Sequence, residues 1–407
     1  MSRSLRFCLV TTFYPPYHFG GDAVFVHRLA GALASRGHSV DVVHSIDAYR
    51  LARAEPQSGF PDVAGVRRIP LASGWPTLAA LASHQLGSPG PYRGVLREVL
   101  DGGRYDVIHF HNISLVGGPE VLTYGDAVKL YTAHEYWLVC PTHVLFRFDH
   151  RACDDKRCLE CTLRARRPPQ LWRATGALSR SLAAIDRLLI PSRFALARHR
   201  ADGIRAPMQD FPSFVPVPAT LPERVEATRD FLFAGRLERL KGLQDVIPLF
   251  RALPAARLRI AGTGAFEPEL RRIAAGIPNV EFLGQVHPAR VAELYRTSRA
   301  TVVPSLCYEV FPLAPVEAMA QGVPVLGRRI GALTEVIEDS GGGLLFDTPA
   351  ACLEALRRLQ DDAAAACAMG VAGRQHALAH WTESAHLDRY FPLIDRLLER
   401  PTRQRPR

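Results

Sequence analysis

Apolar positions in this chain fall into short runs separated by helix-length amphipathic stretches. Leu5 to Thr12 is a near-continuous apolar run, and Phe13 to Asp22 is a loop carrying Pro15-Pro16 and Gly20-Gly21. Ala23 to Arg36 places Val26, Leu29, Ala30 and Leu33 on one helical face, Gly37 stops it, and Val40-Asp41-Val42-Val43 opens a second strand. This spacing predicts a βαβ unit. Further strands are predicted at Asp106 to His109, Ala127 to Thr132 and Arg187 to Ile190. A proline-rich stretch, Phe211 to Pro222, then marks a boundary. A second series follows with strands at Asp230 to Ala234, Leu258 to Ala261, Val280 to Leu283, Thr301 to Val303 and Pro324 to Leu326. Buried parallel strands read as continuous apolar runs, so the expected fold is α/β. It comprises two Rossmann-like doubly wound parallel-sheet domains facing a cleft, spanning 1–212 and 213–383, with 384–407 as a terminal helix and tail.

The length, 407 residues with 47% apolar side chains, suits two cores of about 200 residues each. No apolar run reaches the roughly 18 residues a membrane span needs, and the N-terminus lacks a signal-peptide core, so a cytosolic protein is expected. Eight cysteines in that setting argue against a disulfide framework. The net charge of +10 comes largely from arginine and includes the tail Arg400 to Arg407. Charge alone does not choose among phosphates, anionic lipid headgroups and nucleic acid, and contact with the inner face of a membrane is compatible with it. Nucleic acid is not an expected partner.

Candidate chemistry gathers where strands end. Glu309 and Glu317 lie beyond the apolar stretch Ala300 to Pro304, with Pro315 at a first-turn position and Gly322 as a stop, so Glu309 is expected on a loop and Glu317 in a helix's first turn. Ligands of open α/β sheets settle outside the carboxyl ends of the strands, where both carboxylates would face one crevice and accept hydrogen bonds from vicinal hydroxyls. Two glutamates eight residues apart are otherwise a solvated face. Arg236 and Lys241 follow the first strand of the second series, a pairing suited to a departing pyrophosphate or, alternatively, a solvated basic turn. Gly20 and Gly21 precede a helix whose backbone N–H groups and dipole suit phosphates. Gly264, in Gly262-Thr263-Gly264, belongs to a tight turn that either brings backbone close to a nucleotide base or is only a turn.

Together these motifs, with Ala318-Met319-Ala320-Gln321-Gly322-Val323-Pro324-Val325 after Glu317, resemble the retaining GT-B glycosyltransferases of family 4 from near residue 5 to near residue 350. The resemblance implies a hexosyltransferase that moves a sugar from a UDP- or GDP-linked donor to a glycan, lipid-linked or small-molecule acceptor. By resemblance, Arg236 and Lys241 hold the donor diphosphate, Glu309 and His134 lie at the donor sugar, and Glu317 holds the ribose. It also implies a terminal helix, Thr382 to Leu398, that packs back on the first domain. No Asp-x-Asp occurs in the chain, so protein cations rather than a divalent metal are expected at the diphosphate. Rival expectations are an epimerase of the same fold acting on the nucleotide sugar, and a nucleotide-sugar-binding protein without turnover.

An insert near 137–173 carries Cys140, Cys153, Cys158 and Cys161 among many arginines. Four thiolates in this spacing suit a structural zinc site, an iron–sulfur cluster or unliganded thiols. Its charge suits a phosphorylated or lipid-linked acceptor, an anionic membrane or a plain solvated surface, and Trp137 and Trp172 are candidates for docking on a membrane or sugar, though burial is the commoner outcome for large aromatics.

Overall fold

The computed structural model describes residues 4–52, 55–56, 60–221 and 229–400; Pro222 and the basic tail beyond Arg400 lie outside the described residues. Strands β1 (Arg6–Val10), β2 (Ser39–Ser45), β3 (Val66–Leu71), β4 (Val107–Phe110) and β5 (Val128–Thr132) begin the first sheet. A short antiparallel hairpin, β6 (Phe146–Arg147) and β7 (Arg151–Ala152), falls within the cysteine-bearing insert before β8 (Arg187–Ile190) and β9 (Met208–Asp210) complete that sheet. Its order is β3-β2-β1-β4-β5-β8-β9, parallel throughout. The second sheet holds β10 (Asp230–Ala234), β11 (Arg257–Ala261), β12 (Val280–Gly284), β13 (Ala300–Val303), β14 (Val325–Arg328) and β15 (Gly343–Phe346). Its order, β12-β11-β10-β13-β14-β15, is also parallel.

Strand order reverses beside β1 in the first sheet and beside β10 in the second, and these switch points are where open α/β sheets take ligands. Central strands are buried on both faces: Phe7 and Leu9 pack on one side of the first sheet, while Cys8 and Val10 pack on the other. The second sheet divides its core similarly, with Phe231 and Phe233 on one face and Leu232 on the other. Between Phe214 and Val215 the chain passes from a core of the first sheet to one of the second. The last helix, Glu383–Leu398, returns to the first sheet and inserts Leu387, Tyr390 and Ile394 into the core that holds Phe7 and Leu33.

Strands β3, β9 and β15, all at or near sheet edges, carry no long apolar run and escape the periodicity reading. β3 alternates exposed and half-buried residues, and Pro70 is tolerated there because an edge strand need not donate a second ladder of hydrogen bonds. The first helix begins earlier than its apolar face suggests, at Gly20, so Gly20 and Gly21 are its opening residues rather than the loop before it. The two tryptophans of the insert take the commoner course for large aromatics, burial. Trp137 and Trp172 are buried against each other with ring centroids 5.3 Å apart, and the Arg173 guanidinium lies 4.4 Å over the Trp172 ring. A core thus takes their apolar area, and neither is free to meet a membrane or sugar.

Candidate functional site

The carboxyl ends of β4, β5, β10 and β13 open on one cavity of about 1160 Å³ lined from both sheets. On the second-sheet side, β10 runs into Gly235 and the turn carrying Arg236 to Lys241. Leu237 N donates to Thr263 O at 2.9 Å, which ties this turn to the loop after β11. Gly264 belongs to that supporting contact: a Cβ there would lie 2.2 Å from Leu237 O. That backbone contact alone accounts for a glycine at this position.

Lys241 Nζ lies 2.6 Å from Glu309 Oε1, and Ser305 Oγ donates to the same oxygen at 2.9 Å. Burial pushes the Glu309 carboxyl up, but the Lys241 charge, its hydrogen bond and that of Ser305 outweigh it and hold the group below its ordinary range. Burial likewise opposes the Lys241 ammonium, and Glu309 more than restores it. A fixed ammonium and a fixed carboxylate therefore enter the cavity as one unit. Arg236 differs, being largely exposed with Nη1 2.7 Å from Glu238 Oε1. Surface pairs of this kind are worth little and exchange readily, so Arg236 is free to swing onto an anion.

Facing them, the helix Gly20–Ala34 starts without a side-chain cap, presenting its N-terminus to the cavity. The two halves approach closely here: a Cβ on Gly21 would sit 2.5 Å from Leu313 Cδ1 of the helix Leu313–Ala320. Glu317 lies in that helix's second turn rather than its first, because the helix starts at Leu313, two residues before Pro315. Its carboxylate is 3.4 Å from Arg28 Nη2, across the cleft. Burial raises the Glu317 carboxyl, and Arg28 only partly offsets this.

His134 follows β5 and lines the cavity, with its Nε2 2.9 Å from Nδ1 of His111, the second residue of the histidine pair around the end of β4. Nε2 of buried His111 has no hydrogen-bond partner. A buried N–H costs more unpaired than a lone pair does, which favours a proton on Nδ1 of His111 donated to His134 Nε2. His134 then carries its own proton on Nδ1. Burial, with His386 adding to it, pushes the His134 imidazole down to about 3, so the ring is neutral at ordinary pH and is a weak proton acceptor.

Asp22 is a cavity residue that motif reading missed. It accepts from Asn112 Nδ2 at 3.3 Å, and burial first, then the Glu135 charge, push its carboxyl up to about 6. An unfolded carboxyl ionises near its ordinary value, about 3.9. Between those values the folded protein keeps a proton that the unfolded chain has released, so stability falls as pH rises through the window. Asp22→Asn is expected to remove that slope, gaining about 3 kcal/mol over wild type at pH 7 and little near pH 4. Thermal melts at both pH values check this; an equal difference at the two would assign the effect to something other than ionisation.

Other contacts hold the halves together. Tyr136 OH donates to Glu309 O at 3.3 Å, and Ser192 Oγ donates to Val310 O at 2.7 Å. The Glu335 carboxylate accepts from Arg193 N at 3.1 Å and Phe194 N at 3.0 Å, capping a first-half helix from the second half. None of these pairs is visible in the sequence, since their partners lie more than a hundred residues apart.

For the four cysteines of the insert, the sequence leaves the metal-bound and unliganded readings both open. Among the described residues, no group of three or more His, Cys, Asp or Glu side chains is placed to hold a metal ion. Cys140 Sγ instead shares a hydrogen bond with Thr142 Oγ1 at 3.3 Å, and Cys153 Sγ donates to Asp155 O at 3.4 Å. Burial, then the neighbouring Cys140 sulfur, raises the Cys153 and Cys158 thiols, with Cys161 adding to both, so these sulfurs lie near one another. Cys161 is likewise a free cysteine.

Known proteins agree with this geometry. The family described as Glycosyltransferase Family 4 matches residues 19–216, and that described as Glycosyl transferases group 1 matches residues 228–362. The chain is 29% identical to a D-inositol 3-phosphate glycosyltransferase of Pseudarthrobacter chlorophenolicus, over 93% of this chain and 91% of the relative. It is 32% identical to a GDP-mannose-dependent monoacylated alpha-(1-6)-phosphatidylinositol monomannoside mannosyltransferase of Corynebacterium glutamicum, over 49% of this chain and 59% of the relative. Among solved structures, sucrose-phosphate synthase from Thermosynechococcus elongatus superposes with a TM-score of 0.73 at 20% identity, covering 97% of this chain and 99% of that one. Two facing parallel sheets, a cleft at both switch points and matches to both halves lead to one assignment: the chain belongs to glycosyltransferase family 4, the retaining, nucleotide-sugar-dependent transferases of GT-B fold.

Proposed function

We propose that the chain transfers a sugar from a UDP- or GDP-linked donor to a glycan, lipid-linked or small-molecule acceptor, with residues 213–383 holding the donor and residues 1–212 receiving the acceptor. Lys241 and Arg236 take the diphosphate, and the N-terminus at Gly20 and Gly21 faces it from the other half. Glu317 takes the ribose hydroxyls, exchanging its Arg28 contact for them, while Glu309 and His134 lie at the sugar. The observation that carries this reading is the Lys241–Glu309 pair at 2.6 Å inside a cavity that also contains Glu317 and His134.

Retention requires the acceptor hydroxyl to arrive on the face from which the phosphate leaves. The sugar–phosphate bond breaks as the sugar–acceptor bond forms, and the departing phosphate oxygen takes the acceptor's proton. A neutral, weakly basic His134 suits this, acting as a hydrogen-bond donor from Nδ1 rather than as the base. Developing negative charge on the pyrophosphate meets a preplaced ammonium and a mobile guanidinium, the arrangement that usually supplies the largest electrostatic share of rate. Eight free cysteines suit a reducing cytoplasm.

Thermal stabilisation across a panel of UDP- and GDP-linked sugars tests the reading. At 100-fold excess over Kd, one donor should stabilise the protein by about 2.7 kcal/mol; no response to any donor would overturn the assignment. Turnover with the selected donor is expected to persist in EDTA, changing less than about twofold, because protein cations stand where a metal would otherwise act. Abolition by EDTA, restored by a divalent ion, would remove Lys241 and Arg236 from that role.

A further inference from the structure

A helix on the first half is turned the wrong way for a soluble surface. In the helix Pro76–Leu81, Ala79 is buried, whereas Trp75, Leu78 and Leu81 are exposed. Leu78 and Leu81 lie one turn apart on the outward side of the helix, and Trp75 stands exposed at its N-cap. Leu86, at the end of the following turn, is exposed as well. Trp75 is 69% exposed, while Trp137, Trp172 and Trp381 are 1%, 2% and 4% exposed.

That turn is tied to the insert: Trp172 Nε1 donates to His84 O at 2.9 Å, and a His84 ring nitrogen lies 2.9 Å from Pro168 O. The tie brings up Leu171 and Leu163, both exposed, on a segment rich in arginine. From Lys156 to Arg173 the chain carries six cationic side chains and one carboxylate, Glu160. Arg164 and Arg166 are exposed on this segment. Arg167 and His84 line the catalytic cavity, so the apolar and basic surface runs up to the cavity's mouth on the acceptor side.

We infer that this surface, formed by Trp75, Leu78, Leu81 and Leu86 beside the arginines at 164 and 166, docks on an anionic lipid bilayer. Exposed apolar side chains rimmed by cations match the boundary between acyl chains and anionic headgroups, which neither bulk water nor an acidic protein surface does as well. The inference rests on the lipid-linked arm of the proposed acceptor. It supplies the reason: a lipid-anchored acceptor would meet the cleft at His84 and Arg167 without leaving the membrane. No helix among the described residues is long and apolar enough to cross a membrane, so the contact is peripheral.

The full chain, without donor or acceptor, is to be sedimented with phosphatidylcholine vesicles containing or lacking phosphatidylglycerol. Binding is expected to be at least about tenfold stronger to the anionic vesicles and to weaken with added salt. Tryptophan emission should shift to the blue on binding, and Trp75→Phe should abolish the shift, since the other three tryptophans are already buried. Leu78→Ser with Leu86→Ser, and separately Arg164→Glu with Arg166→Glu, should each lower partitioning about tenfold or more. Unchanged melting temperature and nucleotide-sugar stabilisation verify that each variant folds.

Absence of binding to anionic vesicles overturns the inference. So does a concentration-dependent increase in mass with the same blue shift in the absence of lipid, which would make a second copy of the chain the occupant. Nucleotide-sugar stabilisation is read separately on the same protein preparation, so failure to dock and failure of the transferase reading give different results.

Discussion

Lys241→Met is expected to lower kcat by about 10²–10³, the range for losing one preplaced group that stabilises developing transition-state charge. Two effects combine. The leaving pyrophosphate loses its fixed ammonium, and Glu309, now left in a partly buried position with only Ser305 to donate to it, loses the charge that held its carboxyl low. Burial then acts without its main opponent, so the apparent pKa of Glu309 should rise and activity should decline at a higher pH on the acid side than in wild type. Steady-state kcat across pH 5–9, together with thermal melts, checks both parts. Lys241→Arg should recover part of the rate, because the charge returns on a wider head that fits the 2.6 Å pair poorly. A loss smaller than about tenfold with an unmoved acid limb would place the leaving-group charge elsewhere, with Arg236 the next candidate.

The two carboxylates should separate kinetically. Glu317→Ala is expected to raise the donor Kd by about 10- to 100-fold while kcat stays within about threefold, because ribose contacts are made equally in ground and transition states. Glu309→Ala is expected to do the reverse, lowering kcat by about 10²–10³ with little change in donor Kd. Their surroundings support the split. Glu309 is locked by Lys241 and Ser305 and is kept ionised, as a group serving developing charge needs to be. Glu317 is raised by burial and has one loose partner, Arg28 at 3.4 Å, so it can give up that contact to vicinal hydroxyls. Calorimetric donor binding and initial rates on both variants decide the matter; equal effects on both parameters would show the roles wrongly divided.

Much of this site was legible before any coordinates because strand ends announce themselves. A continuous apolar run followed by glycine or by polar residues marks a carboxyl edge, and Arg236, Lys241, His134 and Glu309 all follow such runs. Their presence in one cavity follows from the rule that open parallel sheets bind at those edges. Of the four edge strands, only β12 gave such a signal. With one face or one ladder open to water, β3, β9 and β15 have no need of continuous hydrophobicity. Gly264 stayed open between two readings for a related reason, since a tight turn looks alike whether it approaches a ligand or a neighbouring loop, and the loop contact here is with Leu237.

The sequence by itself determined the two βα series, the place where one gives way to the other and the residue types at the strand ends, because those depend on local periodicity and turn chemistry. Only the tertiary structure decided which of those groups face one another. The Lys241–Glu309 pair spans 68 residues and the Arg28–Glu317 pair 289. The pairing of His111 with His134 and the burial that keeps both rings neutral also depend on how β4, β5 and the returning terminal helix pack. Desolvation is set by everything around a group rather than by its neighbours in the chain, so the ionisation of Asp22, His134 and Glu317 became readable only once the halves had closed on the cleft.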